Sequence, residues 1–194
     1  MKKILFSLLI LVLNVNIITA QKADSILNKA VMLIDKGELV EAENTIKKAI
    51  SEGIDTLPIH YELAWIYYIE KDYKNAIKTL EPLCDRKDVT PDIYQLLGNA
   101  YDEKGQFNNA ITIYDKGLKK FPGAGCLYLE KGNISYKSNR YEDAFFYYEK
   151  GIEIEPEYAS NYYRASLLFF ASTAKVVEVP SIFSVAIKVF GNSQ

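Results

Sequence analysis

The chain has 194 residues, of which 49% are hydrophobic and 25% charged, and its formal net charge is −2. These proportions exclude a disordered chain, which carries too little apolar surface to offset the entropy of folding. The length allows one sizeable domain or an array of small repeats. The near-neutral charge gives no basic patch to displace counterions from phosphates, so we expect no nucleic-acid partner.

Residues 1–20 predict a signal peptide. Two lysines near the start precede an apolar run from Ile4 to Leu13, and the small residue Ala20 offers a cleavage point before Gln21. The run is shorter than the roughly 20 residues that a membrane-spanning helix needs. We therefore expect an exported protein, periplasmic or secreted, with no membrane span after signal removal. The alternative is an organiser tethered to the membrane through an uncleaved N-terminal helix.

The rest of the chain repeats at a constant period. One column of the repeat is alanine throughout, at evenly spaced positions: Ala42, Ala76, Ala110 and Ala144. Another small residue stands at a fixed distance before each alanine: Ala30, Ala64, Gly98 and Gly132. Large apolar residues stand three before and four after each alanine: Leu39, Tyr73, Phe107 and Tyr141, then Ile46, Leu80, Tyr114 and Tyr148. One spacing held in four columns over four copies indicates a repeated structural module.

Each copy predicts two amphipathic helices joined by a tight turn. In the clearest copy, Tyr94 to Pro122, Gly98 lies on the apolar stripe of the first helix and Ala110 on that of the second. Small residues let two backbones approach closely, while the bulky residues one turn away fill the space around that contact. Because no such pair can bury its apolar face alone, the copies must stack into a continuous core.

The turns between paired helices need a residue in the left-handed conformation. Gly37 and Gly105 adopt it without steric cost. In the other two copies, Asp72 or Asn139 near the same place can adopt it at modest cost.

This period of about 34 residues and these columns resemble the tetratricopeptide repeat (TPR) family. The resemblance covers residues 23–156. It implies an all-α, right-handed solenoid of four helix–turn–helix repeats plus one trailing helix. The expected boundaries are 1–20 for the signal peptide, 23–56, 57–90, 91–124 and 125–158 for the repeats, 159–173 for the trailing helix and 174–194 for an apolar tail. The tail fits a short helix from Ser181 to Phe190, a strand-like segment or the remnant of a longer array.

The inventory of catalytic residues is poor. His60 is the only histidine, and it stands in a column that otherwise packs apolar residues. Cys84 and Cys126 are too few for a disulfide framework or a metal cluster. No catalytic triad or phosphate-binding loop occurs. We expect no enzyme activity, cofactor or metal; the alternative is an accessory repeat domain of a larger enzyme or assembly.

The resemblance further implies that the exposed faces of the first helices line a groove for a partner. Steps of four and three residues along a helix select one such face. The predicted groove residues are Tyr61, Trp65, Tyr68, Gln95, Asn99, Asp102, Asn133 and Tyr136. The same face continues through Leu27, Val31, Ile34, Leu129, Tyr163, Leu167 and Phe170. Rigid aromatic rings are typical anchors of binding sites, and amides can bond the backbone of an extended peptide.

The predicted function is therefore a non-enzymatic scaffold or adaptor outside the cytoplasm that binds a peptide or protein segment in this groove. An alternative is that the aromatic residues pack against the tail or against a second copy of the chain. The C-terminal tail is also a candidate interface for a homo-oligomer. Capture of an acidic C-terminus is disfavoured. The positions that carry basic and amide residues in TPR proteins of that kind hold Leu27, Val31, Glu62, Asp92 and Leu96 here.

Overall fold

The computed structural model describes residues 2–173, with side chains from Thr19 onward except at 170, 172 and 173. Across 2–173 it contains helices and no strand, so the predicted all-α class is confirmed. The α-helices are α1 Lys2–Asp35, α2 Leu39–Ser51, α3 Leu57–Ile69, α4 Tyr73–Leu80, α5 Pro91–Glu103, α6 Phe107–Lys120, α7 Gly125–Lys137, α8 Tyr141–Ile154 and α9 Ala159–Thr173. A 3-10 helix, Glu81–Asp85, follows α4. The predictions for the tail, 174–194, lie outside the described residues.

Helices α1 to α4 form one compact unit, and α5 to α9 form a second. In the first unit α1 packs on α2 and α3 packs on α4. In the second, α5 packs on α6, α7 on α8, and α9 on both α8 and α7. The first helix passes without a break through Ala20, the residue before the predicted cleavage point. Among the residues searched, which are those that the structure describes, no helix is long and apolar enough to cross a membrane.

The turns within the helix pairs repeat the same backbone geometry in each copy. Gly37, Lys71, Gly105 and Asn139 have φ angles of 77°, 61°, 77° and 58°. The prediction that Asp72 could take this conformation is wrong. Asp72 has a φ of −81° and instead caps α4, accepting a hydrogen bond from the Asn75 backbone N–H. Because the Asp72 carboxylate serves as the N-cap, the left-handed position falls to the residue before it.

The short fourth helix was not predicted. Proline has no N–H to donate, and Pro82 follows two residues after the end of α4. The chain continues as the 3-10 helix, where Leu83 and Cys84 are buried. The second copy therefore keeps its buried column although its α-helix is interrupted.

The small and large residues of the repeat columns meet in the core. Gly98 lies under the ring of Tyr114, so that a Cβ atom built on it would be 2.0 Å from Tyr114 Cε1. Gly132 lies in the same way under Tyr148, at 2.3 Å from Cε1. In the first two copies the corresponding columns hold Ala30 with Ile46 and Ala64 with Leu80, all fully buried. A tyrosine in the second helix therefore goes with glycine in the first, and a branched aliphatic residue goes with alanine.

A buried asparagine interrupts one aliphatic column. Ile59, Ile93 and Leu127 are buried at the start of three first helices, and Asn161, one repeat period after Leu127, is 0% exposed. Its Nδ2 donates to the Gly125 carbonyl at 3.2 Å. Its Oδ1 has no hydrogen-bond partner within residues 2–173. This direct bond joins α9 to α7, at the cost of a buried oxygen left unpaired.

Replacing Asn161 by leucine should raise the free energy of unfolding by about 1 kcal/mol, because it removes an unpaired polar atom and buries apolar surface. The site can hold leucine, since Leu127 packs over Gly117 in the previous copy as Asn161 packs over Gly151. Urea unfolding followed by circular dichroism measures the change. Asn161→Ala is the matched control: it removes the same polar atoms without refilling the space and should destabilise. A less stable leucine variant would contradict the assigned packing.

Candidate functional site

Three of the predicted groove residues lie together on α3. The rings of Trp65 and Tyr68 stack with centroids 5.6 Å apart and planes 13° from parallel. Tyr68 in turn meets the edge of Tyr73 at 5.6 Å. Trp65, Tyr61 and Tyr68 are all half-buried. Because the rings already hold one another in place, binding a ligand on top of them costs little additional entropy of the Trp65 and Tyr68 side chains.

The predicted groove residues Gln95 and Asn133, on α5 and α7, are tied together by a glutamate. Gln95 Nε2 donates to Glu130 Oε1 at 2.9 Å, and Asn133 Nδ2 donates to Glu130 Oε2 at 2.9 Å. Asn133 Oδ1 also accepts from the Tyr148 hydroxyl at 3.1 Å. Both ends of the Asn133 amide are therefore used within the protein. The sequence reasoning missed Glu130, because the steps of four and three that lead from Leu129 to Asn133 and Tyr136 pass over it.

Asn99 is used in the same way as Asn133. Its Oδ1 accepts from the Tyr114 hydroxyl at 2.7 Å. The pair Gly98–Asn99 thus holds the Tyr114 ring from two sides, with the glycine giving room and the amide fixing the hydroxyl. The signal was present in the sequence: glycine, asparagine and tyrosine recur at the same three positions of the next copy, and the first two copies have other residues at all three positions.

Removing one of these hydroxyls should cost about 1 kcal/mol of folding free energy, the usual net value of a partly buried hydrogen bond. We expect this for both Tyr114→Phe and Tyr148→Phe. Burial raises the pKa of the Tyr148 phenol, so it stays a neutral donor through the ordinary pH range. Tyr163→Phe is the control, since that side chain is 62% exposed. Equal stability of all three variants in urea would show that these bonds contribute nothing.

Asp102 and Tyr136, the last two predicted groove residues, differ in exposure. The Asp102 side chain is only 9% exposed; its Oδ2 pairs with Lys137 Nζ at 2.5 Å. Its Oδ1 is buried and has no hydrogen-bond partner within the described part of the chain. Tyr136 is 43% exposed and meets the edge of Tyr141 at 5.5 Å. The aspartate is therefore mainly a buried partner of the lysine, whereas the tyrosine offers ring surface to a ligand.

The first helices of the second unit also expose apolar side chains where the predicted face continues beyond the eight groove residues. On α9, Tyr163 and Leu167 are 62% and 44% exposed. They occupy the positions that Tyr61 and Trp65 occupy on α3. We call Tyr136, Tyr163 and Leu167 the exposed inner residues of the second unit. Leu129, on the same predicted face, is buried.

Outside this face, the titratable side chains of Asp55 and His60 form a cluster with Arg86 that joins two parts of the fold. His60 Nε2 lies 2.8 Å from Asp55 Oδ1, and Arg86 Nη1 lies 2.9 Å from the same oxygen. The bond to His60 and the neighbouring Arg86 lower the pKa of the Asp55 carboxyl. The cluster joins the loop before α3 to the residue after the 3-10 helix. Within the searched residues, no group of three histidine, cysteine or acidic side chains could hold a metal ion.

Both cysteines are buried free thiols. Burial, and next the charge of Asp92, raise the pKa of the Cys126 thiol to about 12. A thiol with so high a pKa supplies almost no thiolate, the reactive form, at neutral pH. The burial of both thiols supports a packing role.

The comparison with protein-family models identifies the helix pairs. The model of the tetratricopeptide repeat matches residues 57–86, 91–119 and 127–158. The chain carries tetratricopeptide repeats. The matched segments begin at or close to the starts of α3, α5 and α7. The TPR repeats therefore include the helices that carry all eight predicted groove residues.

Several solved structures share the fold at low sequence identity. A crystal structure of MamA aligns with a TM-score of 0.63 and 18% identity, covering 86% of this chain and 90% of that one. Another MamA structure gives a TM-score of 0.59 and 24% identity over 71% of this chain and 80% of that one. A tetratricopeptide repeat protein from Parabacteroides merdae gives 0.63 and 19%, covering 89% and 68%. These similarities concern the fold alone.

Two curated proteins match in sequence over part of their length. Small glutamine-rich tetratricopeptide repeat-containing protein 2 of Mycosarcoma maydis is 29% identical over 86 residues, which are 44% of this chain and 24% of that protein. The human protein O-mannosyl-transferase TMTC1 is 23% identical over 132 residues, which are 66% of this chain and 15% of the relative. The chain thus spans about a quarter or less of these relatives.

Proposed function

We propose that the protein is a non-enzymatic scaffold that holds a peptide or protein segment against the inner faces of its first helices. TPR repeats serve protein interaction, and repeat arrays bind partners along extended surfaces. The observation that carries the proposal is the exposure of large apolar side chains at predicted inner positions. Val31 is 37% exposed on α1, and the exposed inner residues of the second unit are 43 to 62% exposed. Large apolar side chains exposed on the predicted face of α7 and α9 are typical of an interaction site.

The polar groups around these side chains support the same reading. Asn99 and Asn133 hold tyrosines of the second helices, so they shape the surface rather than reach for a ligand. Aromatic side chains then make most of the contacts to a partner: Trp65 and Tyr68 in the first unit, and Tyr136 and Tyr163 in the second. Aromatic rings supply large contact area with few rotatable bonds. We therefore infer a partner segment with apolar or aromatic side chains at its contacts.

Site-specific photocrosslinking in the producing cell tests the proposal. Tyr163 is replaced by p-benzoylphenylalanine, and Phe146 on α8 is replaced in the same way as a control of similar exposure, 62% against 57%. We expect irradiation to join Tyr163 variants, but not Phe146 variants, to a discrete second polypeptide. Equal yields from both positions, or adducts only with the chain itself, would contradict binding at the inner face.

We further propose that the scaffold works outside the cytoplasm after cleavage behind Ala20. The support is the sequence of residues 1–20, with its lysines, apolar run and small residue before Gln21. N-terminal sequencing of the protein recovered from cell fractions tests this. A mature chain that begins at Gln21 is expected. A chain that retains Met1 and sediments with membranes would instead favour the tethered organiser.

A further inference from the structure

A cavity of about 520 Å³ lies in the second unit, where α5 and α7 begin. The loop between α6 and α7 lines one part of it, and Glu155 and Tyr158, between α8 and α9, line another. The volume falls within the usual range of ligand pockets, roughly 300 to 1,000 Å³. Gln95, one of the predicted groove residues, also lines the cavity, which therefore adjoins the inner face.

Part of the cavity wall is apolar. Pro91, at the start of α5, and Phe121, Pro122 and Ala124, between α6 and α7, contribute this part. A methylene chain can lie along such a surface while a charged group at its end reaches a polar partner. The cavity therefore suits a long side chain with an aliphatic stem.

The charged groups of the wall give the cavity an excess of negative charge. Two carboxylates, Asp92 and Glu155, line it against one ammonium, that of Lys120, among the described residues. The Lys120 side chain is exposed. A third carboxylate is bonded to the wall, since Glu130 Oε1 accepts from Gln95 Nε2 at 2.9 Å.

The buried thiol of Cys126 reports the electrostatic potential at this place. Cys126 lines the cavity and is only 8% exposed. Burial raises the pKa of the thiol to about 12, and the charges of Asp92, Glu155 and Glu130 add to the increase. These carboxylates disfavour a second negative charge beside them. For the same reason they attract a cation.

The two carboxylates of the wall keep acceptor capacity for a ligand. Asp92 makes no hydrogen bond or ion pair with the part of the chain that the structure describes. Glu155 Oε2 accepts from the Gly125 backbone N–H at 2.7 Å, which leaves its second oxygen for another donor. Ammonium and guanidinium groups are the side-chain donors that form the strongest hydrogen bonds with a carboxylate.

From this geometry we propose that the cavity binds a lysine or arginine side chain of the segment held against the inner face. The stem lies along the apolar wall, and the cationic end reaches Asp92 and Glu155. The inference rests on the proposed scaffold function, because that segment supplies the basic residue. It adds one requirement for the partner: a basic residue next to its apolar or aromatic contacts.

Disulfide exchange at Cys126 tests the chemistry of the cavity in the full-length protein. The protein is equilibrated with an equimolar mixture of the disulfides of cysteamine, mercaptoethanol and mercaptopropionate. These attach an ammonium, a hydroxyl or a carboxylate on a short stem. Peptide mass mapping separates adducts at Cys126 from those at Cys84. We expect the ammonium adduct at Cys126 to exceed the hydroxyl adduct about tenfold, because it alone pairs with the carboxylates.

A double variant supplies the control for this exchange. Asp92→Asn with Glu155→Gln removes both charges and keeps an oxygen for the Gly125 N–H, so the preference should disappear. Equal amounts of the three adducts in the original protein, or a preference unchanged in the double variant, would overturn the proposal. The absence of any adduct at Cys126 would show that another part of the chain, such as the residues after Thr173, fills the cavity. The proposal would then also be wrong.

The crosslinking assay at Tyr163 tests the source of the cation. The p-benzoylphenylalanine variant is compared with the same protein carrying Asp92→Asn and Glu155→Gln. We expect the double change to lower the yield of the partner adduct about tenfold, because the basic residue loses both of its charged partners. An unchanged yield would overturn this inference and leave the scaffold function intact. No adduct even with both carboxylates present would contradict the scaffold function, and with it the segment as the source of the cation.

Discussion

Replacing Gly98 by alanine is expected to lower the free energy of unfolding by about 3 kcal/mol, near the upper end of the usual cost of overpacking a core. The added Cβ would lie 2.0 Å from Tyr114 Cε1, far inside van der Waals contact. The ring has little freedom to withdraw, because it is fully buried and its hydroxyl is bonded to Asn99. Urea unfolding monitored by circular dichroism and by tyrosine fluorescence measures the change.

Two further variants separate this packing effect from the general cost of changing a glycine. Gly123→Ala should be nearly neutral, because no atom lies within 4 Å of the added Cβ and the backbone there is not left-handed. The double variant Gly98→Ala with Tyr114→Leu recreates the pairing of Ala64 with Leu80 in the second copy and should recover part of the loss. An unchanged midpoint for Gly98→Ala would show that the assigned helix contact does not exist.

Replacing Trp65 by alanine is expected to weaken partner binding by about 2 kcal/mol, or roughly 30-fold in Kd, if this ring is the anchor of the inner face in the first unit. The indole stacks on Tyr68 and is only half-buried, so its truncation removes recognition surface without opening the core. The dissociation constant is measured by titration with a partner isolated through a p-benzoylphenylalanine crosslink at Tyr61, which lies on the same helix as Trp65. The melting midpoint is recorded in parallel.

Phe107→Ala is the matched control for Trp65→Ala. Phe107 is also a large aromatic residue and is 48% exposed, but it lies at the start of a second helix, α6. It should leave the dissociation constant unchanged. An equal loss of binding in both variants would indicate a general effect on stability, and no loss in either would remove Trp65 from the site.

The turns show where local sequence was sufficient and where it was not. Gly37 and Gly105 adopt the left-handed conformation as predicted, because only glycine does so without steric cost. In the second copy the prediction chose Asp72, and the structure has Lys71. Aspartate favours both the left-handed conformation and the N-cap position, so local preference did not decide between Lys71 and Asp72. The repeat period decides it, because Lys71 lies one period from Gly37 and one period from Gly105.

The polar residues of the candidate site show a different limit. Gln95, Asn99 and Asn133 were predicted to meet a ligand because helix spacing brings them to one face. Their hydrogen bonds to Glu130, Tyr114 and Tyr148 depend on distances between helices, which helix spacing alone does not provide. Recurrence of glycine, asparagine and tyrosine in two copies was the available signal for two of them.

By itself the sequence determined the period, the all-helical class and the pairing of small with large residues, because each follows from spacing along a single helix and recurs in four copies. Tertiary structure alone decided how the polar groups are used: Asn161 is buried in an aliphatic column, and Asp102 is largely buried beside Lys137. It also decided that Thr173 continues α9 where the earlier copies turn. The physical reason is that burial and hydrogen bonding are set by which helices meet, whereas amphipathic spacing fixes only the side of the helix on which a residue lies.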